Sequence, residues 1–139
     1  MNDSHFMKIA LYEAEKAYKK GEIPVGAVIV ENNKVLAKGH NERCDKKIVT
    51  KHAEIIAIER ANKKKKDWRL NNCSLYVTLE PCKMCMGAIE QARISRVIYA
   101  TESIASYEAD FVVQKINDDD LSDESSQLIN ACFKDLREK

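Results

Sequence analysis

Two short runs limit what this chain can fold into: His52-Ala53-Glu54 and Pro81-Cys82-Lys83-Met84-Cys85. An imidazole and two thiolates are donors that a tetrahedral zinc ion takes. The runs are far apart in sequence, so any fold that uses them together must bring the start of one helix beside the start of another. Three protein donors leave the fourth position open for water, the pattern of a catalytic site. Glu54, two residues past the histidine, is placed to move protons rather than to bind the ion. Such a site activates water against an electron-poor carbon.

Each part of this pattern also has a plainer reading. A lone Cys-x-x-Cys reads equally as a redox pair. Glu54 alone reads as an acidic residue that favours the positive end of a helix dipole. Cys44 or His40 can supply a fourth donor, which would make the site structural. The combination favours the open site. Cys82 and Cys85, at i and i+3 of a helix start, share one side. The free amide hydrogens there favour thiolate over thiol, and His52 in another helix's first turn supplies the third donor.

Length and composition suit one folded domain over residues 1–139, with 45% apolar residues arguing against disorder. No apolar run approaches the roughly 20 residues that cross a bilayer. Lysines and glutamates interrupt the stretch from Lys8 to Lys20, so no secretory signal is read there. Five cysteines, an odd number with two of them two residues apart, fit a reduced cytoplasmic protein better than a disulfide scaffold. Cys44, Cys73 and Cys132 read as core or surface thiols. Charge is divided unevenly: residues 1–100 hold 19 Lys/Arg against 12 Asp/Glu, and residues 101–139 hold four against ten. The basic front part can meet a polyanion, or the charge can serve solubility alone.

Apolar spacing predicts a helix over residues 6–20, with Ser4 able to cap it and Gly21 following it. Val25 to Val30 is apolar and β-branched, the signature of a strand buried on both faces. Asn32-Asn33 is a turn to a returning strand, Val35 to His40. Residues 41–51 form a polar loop. A helix follows from His52 to Lys65, and its closing lysines complement the negative end of the dipole. Residues 73–79 form a strand, 82–92 a helix and 96–100 a strand. Phe111 to Ile116 is either a strand or part of a helix. Asn117 to Asp123 is an acidic linker or loop, and 124–139 a last helix with Leu128, Ile129, Cys132, Phe133 and Leu136 on one face. The alternation predicts helices over a mixed sheet.

These motifs carry a likeness. The chain resembles the zinc-dependent nucleoside and nucleobase deaminases, whose signature is His-x-Glu and Pro-Cys-x-x-Cys. Within them it is similar to the bacterial tRNA adenosine deaminases, through Gly21 to Ala27, Gly39-His40-Asn41, His52-Ala53-Glu54, Asp67 to Leu70, Tyr76 to Cys82, Met84-Cys85 and Gly87 to Ile89. The resemblance covers about residues 6–100 and thins after Tyr99. It implies a three-layer α/β/α cytidine-deaminase-like fold with a mixed five-stranded sheet, and a homodimer. It implies one Zn2+ per chain on His52, Cys82 and Cys85, with Glu54 as proton shuttle. The implied reaction converts the wobble adenosine of a tRNA anticodon stem-loop to inosine with release of ammonia.

The same likeness assigns substrate contacts. Asn41 hydrogen-bonds the nucleoside, Gly26 and Ala27 lie on a strand near the pocket where small side chains admit a flat base, and Glu80 presents its backbone carbonyl near the departing amino group. Asn41 read by itself is a turn former. Lys46, Lys47, Lys51 and the cluster from Lys63 can hold phosphate. Lys83 is either a phosphate contact or a solubilising residue. The altered tail keeps a second substrate class open, a free nucleobase or nucleoside such as guanine or cytosine, which Tyr107 or Phe111 would then cover.

Overall fold

A computed structural model describes residues 2–103, 109 and 111–137. Its centre is the apolar run that opens the sheet. β1 (Gly26–Glu31) is buried along nearly its whole length. Alternate residues serve opposite layers: Ala27 and Ile29 enter one core and Val28 and Val30 the other. A strand covered on both faces reads as a continuous apolar run for this reason. Asn32 and Asn33, with φ of 52° and 62°, form the tight turn to β2 (Lys34–His40), which pairs antiparallel with β1. Two successive positive-φ residues match the twist of a hairpin, and asparagine tolerates them well.

The sheet order is β2-β1-β3-β4-β5, with β3 (Cys73–Leu79), β4 (Arg96–Thr101) and β5 (Val112–Lys115) mutually parallel and β1 antiparallel to β3. This is the expected mixed five-stranded sheet between helical layers. One face carries α3 (Ala53–Lys65) and α4 (Lys83–Gln91), and Ala53, Ala57, Ala61 and Ile89 close that core. The other face carries α1 (Asp3–Lys19) and α5 (Asp119–Arg137), with Phe6, Met7, Ala10, Leu11 and Leu121 in contact with Val28, Tyr76 and Ile98. Small residues along α3 let its axis lie close to the sheet; a Cβ on Gly39 of β2 would stand 2.8 Å from the Ala53 carbonyl oxygen.

Four expectations change. Asn2, not Ser4, caps α1 by accepting the His5 N–H, while the Ser4 hydroxyl donates to Asp118 Oδ2 at 2.7 Å. The loop over 41–51 contains one helical turn, α2 (Arg43–Lys46). The acidic segment is not a loop throughout: Asp118 Oδ1 accepts the Leu121 N–H and α5 starts at Asp119, with acidic residues in the first turn where the dipole favours them. Phe133 is exposed, and the buried face of α5 runs instead through Leu121, Ser122, Ser125 and Ile129. Of the two readings of Phe111 to Ile116 the strand holds, over Val112–Lys115. Tyr107 and the Leu136 side chain lie outside the described residues. Among those described, no helix is long and apolar enough to cross a membrane.

Candidate active site

β3 ends at Leu79, and Pro81, fully buried and without an N–H, prevents its continuation. Glu80 is held at the break because its N–H donates to the Thr101 carbonyl at 2.8 Å. The N-termini of α3 and α4 meet at this end of the sheet. His52 precedes α3 and Cys82 precedes α4, both in extended backbone and neither capping its own helix, which leaves imidazole and thiol for another partner. Cys85 sits fully buried in the first turn of α4.

His52 Nδ1 lies 3.7 Å from Cys82 Sγ and 3.6 Å from Cys85 Sγ. A tetrahedral ion about 2.05 Å from nitrogen and about 2.3 Å from sulfur separates such a pair by roughly 3.6 Å. Donor set and spacing therefore fit zinc. Among the described residues this trio is the group of metal-ligating side chains that converges. His40 and Cys44 do not join it: His40 Nδ1 is 3.0 Å from Glu13 Oε1, and Cys44 is exposed.

Electrostatics sharpen the site. Burial pushes the Glu54 carboxyl up to about 7, and hydrogen bonds from its own backbone N–H and the Cys85 thiol offset only part of this. Burial first, and then the Arg43 charge, hold His52 below the ordinary imidazole range, so its ring is neutral and able to donate a lone pair. Burial, followed by the negative Glu54 and Cys82, pushes the Cys85 thiol far above the usual range. A cation held by the three donors would reverse that field and stabilise both thiolates.

A cavity of about 160 Å³ opens onto these groups. Ile23, Val25 and Leu79 give it an apolar wall; Asn41, Arg43, Glu54, Glu80 and Ser103 supply its polar groups beside His52 and Cys82. Asn41 is buried, and its Oδ1 accepts the Ala53 N–H at 2.8 Å, one of the unpartnered amides of the α3 start. Its NH2 is therefore the group left for a ligand. The Glu80 carboxylate accepts the Ser103 N–H at 3.1 Å.

Two further sequence candidates, Gly26 and Ala27, directly follow the cavity residue Val25 and open β1. Gly26 faces α1, where an added Cβ would stand 1.9 Å from the Ala10 carbonyl oxygen. Ala27 is fully buried in the core beneath α3, and neither residue lines the cavity. Lys46 and Lys47 are exposed on α2 and just after it, Lys51 is paired with Glu59 at 3.3 Å, and Lys83 is exposed as the first residue of α4. Phe111 lines a groove with Asn71, Arg93 and Ser95 at the opposite end of the parallel strands, away from the cavity it was expected to cover. Arg43 was missed: it reaches the cavity from the loop after Asn41, where no apolar period marks it.

The comparisons agree with this geometry. The model of the MafB19-like deaminase family matches residues 1–137. The tRNA-specific adenosine deaminase of Streptococcus pyogenes serotype M18 is 44% identical over 86% of this chain and 75% of that protein. The enzyme of the same name from Bacillus subtilis is 36% identical over 99% of this chain and 92% of that one, so the likeness continues through the tail. A structure from a study of A-to-I editing by tRNA:A34 deaminases at the wobble position of transfer RNA superposes with a TM-score of 0.83 at 34% identity, covering 90% of this chain and 99% of that chain. Guanine deaminase of Bacillus subtilis superposes with a TM-score of 0.70 at 41% identity, over 73% of this chain and 66% of that chain. The chain belongs to the MafB19-like deaminase family and, within it, to the tRNA-specific adenosine deaminases.

Proposed function

We propose that this protein hydrolyses the wobble adenosine of a tRNA anticodon to inosine and ammonia, using one zinc ion held by His52, Cys82 and Cys85. The observation that carries the proposal is the buried Glu54 carboxyl beside three converging zinc donors, in a chain of this family. Zinc, when bound, supplies the acidity that makes water a nucleophile at neutral pH. Glu54 takes a proton from the attacking water and gives it to the ring nitrogen next to the amino-bearing carbon. It then carries the second proton to the amino group, which leaves as ammonia. A carboxyl poised near neutrality serves both transfers, since it must accept and donate in one cycle.

The other groups orient the base. Asn41, its acceptor committed to Ala53, donates through its NH2 to the nucleoside. Ile23, Val25 and Leu79 exclude water from one side of the ring. The Glu80 carbonyl receives the departing amino group. An anticodon loop suits such a cavity because its bases can be splayed out without opening a duplex. Lys46, Lys47, Lys51 and Lys83 are the phosphate contacts closest to the site in sequence. In this reading residues 1–139 act as one catalytic domain, as a homodimer, in the cytoplasm.

The test is a deamination panel on protein of measured zinc content, with an anticodon stem-loop, free adenosine, free cytosine and free guanine. Inosine formed only in the stem-loop supports the proposal. Ammonia from free guanine, at rates that the stem-loop does not approach, would overturn it.

A further inference from the structure

Glu22 is a carboxylate that the catalytic reading leaves without a task. It is 2% exposed, and none of the ion pairs among the described residues includes it. A buried carboxylate is costly unless its oxygens are satisfied. Both are satisfied by one short stretch: Oε1 accepts the Cys44 N–H at 3.0 Å and Oε2 accepts the Asp45 N–H at 2.7 Å. These are unpartnered first-turn amides of α2. That helix has four residues, and Glu42 at its N-cap makes no side-chain cap bond. A single turn does not hold itself. Glu22 supplies the missing cap from a distance of 22 residues.

Glu22 is itself fixed. Gly21, with φ of 78°, closes α1, and the Glu22 N–H donates back to the Ala17 carbonyl at 3.0 Å. The far side of the loop is tied by the Glu42 N–H to the Lys51 carbonyl at 2.9 Å. The whole turn is therefore anchored to α1 on one side and to the His52 segment on the other.

What the turn presents to the cavity is Arg43. This guanidinium is exposed at the rim, and among the described residues no carboxylate pairs with it. It shares the cavity lining with Asn41, His52 and Glu54, which places it beside the site. A neutral base needs no fixed cation at its entrance. A planar guanidinium with parallel donors matches an oxyanion in two-point contact. In an RNA substrate the oxyanion beside every base is the phosphodiester.

We infer that Arg43 binds a phosphate adjoining the target nucleotide, and that Glu22 is the positioning residue that holds the turn presenting it. The inference rests on the RNA reading of the substrate. It is tested by binding, with turnover blocked by Glu54→Gln in zinc-loaded protein. The probes are a labelled anticodon stem-loop and two copies in which the linkage 5′ or 3′ of the target adenosine is a neutral methylphosphonate.

Arg43→Ala is expected to weaken binding of the fully charged RNA about ten-fold, the scale of a lost charge-assisted contact. It should also lower the slope of log affinity against log salt by about 0.7, the value for one phosphate on a single strand. Against one of the two neutralised RNAs the same variant should lose nothing further. Arg43→Lys should keep the salt slope and lose part of the affinity. Glu22→Gln should weaken the charged RNA in the same direction and add little on top of Arg43→Ala, because both act on one contact.

An Arg43→Ala penalty equal on all three RNAs, or with the salt slope unchanged, overturns the phosphate contact. Full additivity of Glu22→Gln with Arg43→Ala overturns the positioning role. Should Glu22→Gln fail to fold, the two Arg43 variants still decide the phosphate contact, and Glu22→Asp decides the positioning role by the same additivity measurement. Absence of inosine from the charged RNA with the unmodified chain would instead strike the substrate reading, while the binding series still decides Arg43.

Discussion

Replacing Gly26 by alanine separates two accounts of that residue. If Gly26 makes room for a base, the added methyl should raise KM and leave stability alone. The structure gives it a different neighbour. The new Cβ would lie 1.9 Å from the Ala10 carbonyl oxygen, 2.6 Å from the Ala14 nitrogen and 2.9 Å from Glu13 Cβ. The first two are backbone atoms, so no rotamer change relieves them. A carbon and a carbonyl oxygen in ordinary close contact stand about 3.3 Å apart, so α1 must retreat by roughly 1.4 Å. That helix carries Phe6, Met7, Ala10 and Leu11 into the core, and all of them move with it. Overpacking that displaces backbone sits at the upper end of its range, about 3 kcal/mol. With an unfolding entropy of about 2.1 cal/mol/K per residue, a chain of 139 residues should lose roughly 10 °C in Tm. Calorimetry measures this directly, with KM on the stem-loop taken at 20 °C on the folded variant. An unchanged Tm together with a raised KM would refute the packing account.

Asn41 invites a paired substitution. Asn41→Asp keeps the acceptor for the Ala53 N–H and removes the NH2, so Tm should hold while turnover falls about 100-fold; Asn41→Ala should in addition lose about 1 kcal/mol for the missing cap. Turnover of Asn41→Asp at the original rate would contradict the assigned donor. Glu54 predicts a pH dependence in chelator-treated protein. Its folded pKa of about 7 lies above the ordinary 4.5, so the folded state holds a proton that the unfolded chain releases. Stability should be full below about 4.5, fall by about 1.4 kcal/mol per unit as pH rises toward 7, and lose no more above that. Denaturant titrations of the original chain and Glu54→Gln, compared across this window, isolate the group; parallel curves would show that Glu54 is not perturbed. Ser125→Ala should cost about 1–3 kcal/mol in a denaturant titration, since its hydroxyl donates at 2.8 Å to the otherwise buried Thr78 carbonyl.

The parts of the fold that were legible in the sequence are those set by local chemistry. The apolar run of β1, the Asn32-Asn33 turn, the helical spacing of α1 and α3 and the two ligand runs each signal their structure within a few residues. What escaped depends on distant partners. The buried face of α5 includes Ser122 and Ser125, whose hydroxyls donate to the Ala100 and Thr78 carbonyls, so its inner stripe does not read as apolar. The start of α5 was hidden in an acidic run that reads as a loop until Asp118 is seen as its cap. Gly26 was placed near the pocket by the resemblance, and nothing near it in sequence announces its close approach to α1 across the sheet. Arg43 sits in a polar loop whose shape comes from Glu22, on the far side of the first hairpin.

The central claim is that His52, Cys82 and Cys85 hold the ion while Glu54 moves the protons. It is tested most directly by measuring zinc content and inosine formation side by side in the original chain, Glu54→Ala and Cys85→Ser. The account predicts ~1 equivalent of zinc in the first two and little in the third, with inosine formed by the original chain alone. Inosine from Glu54→Ala at the original rate, or from zinc-depleted Cys85→Ser, would contradict it.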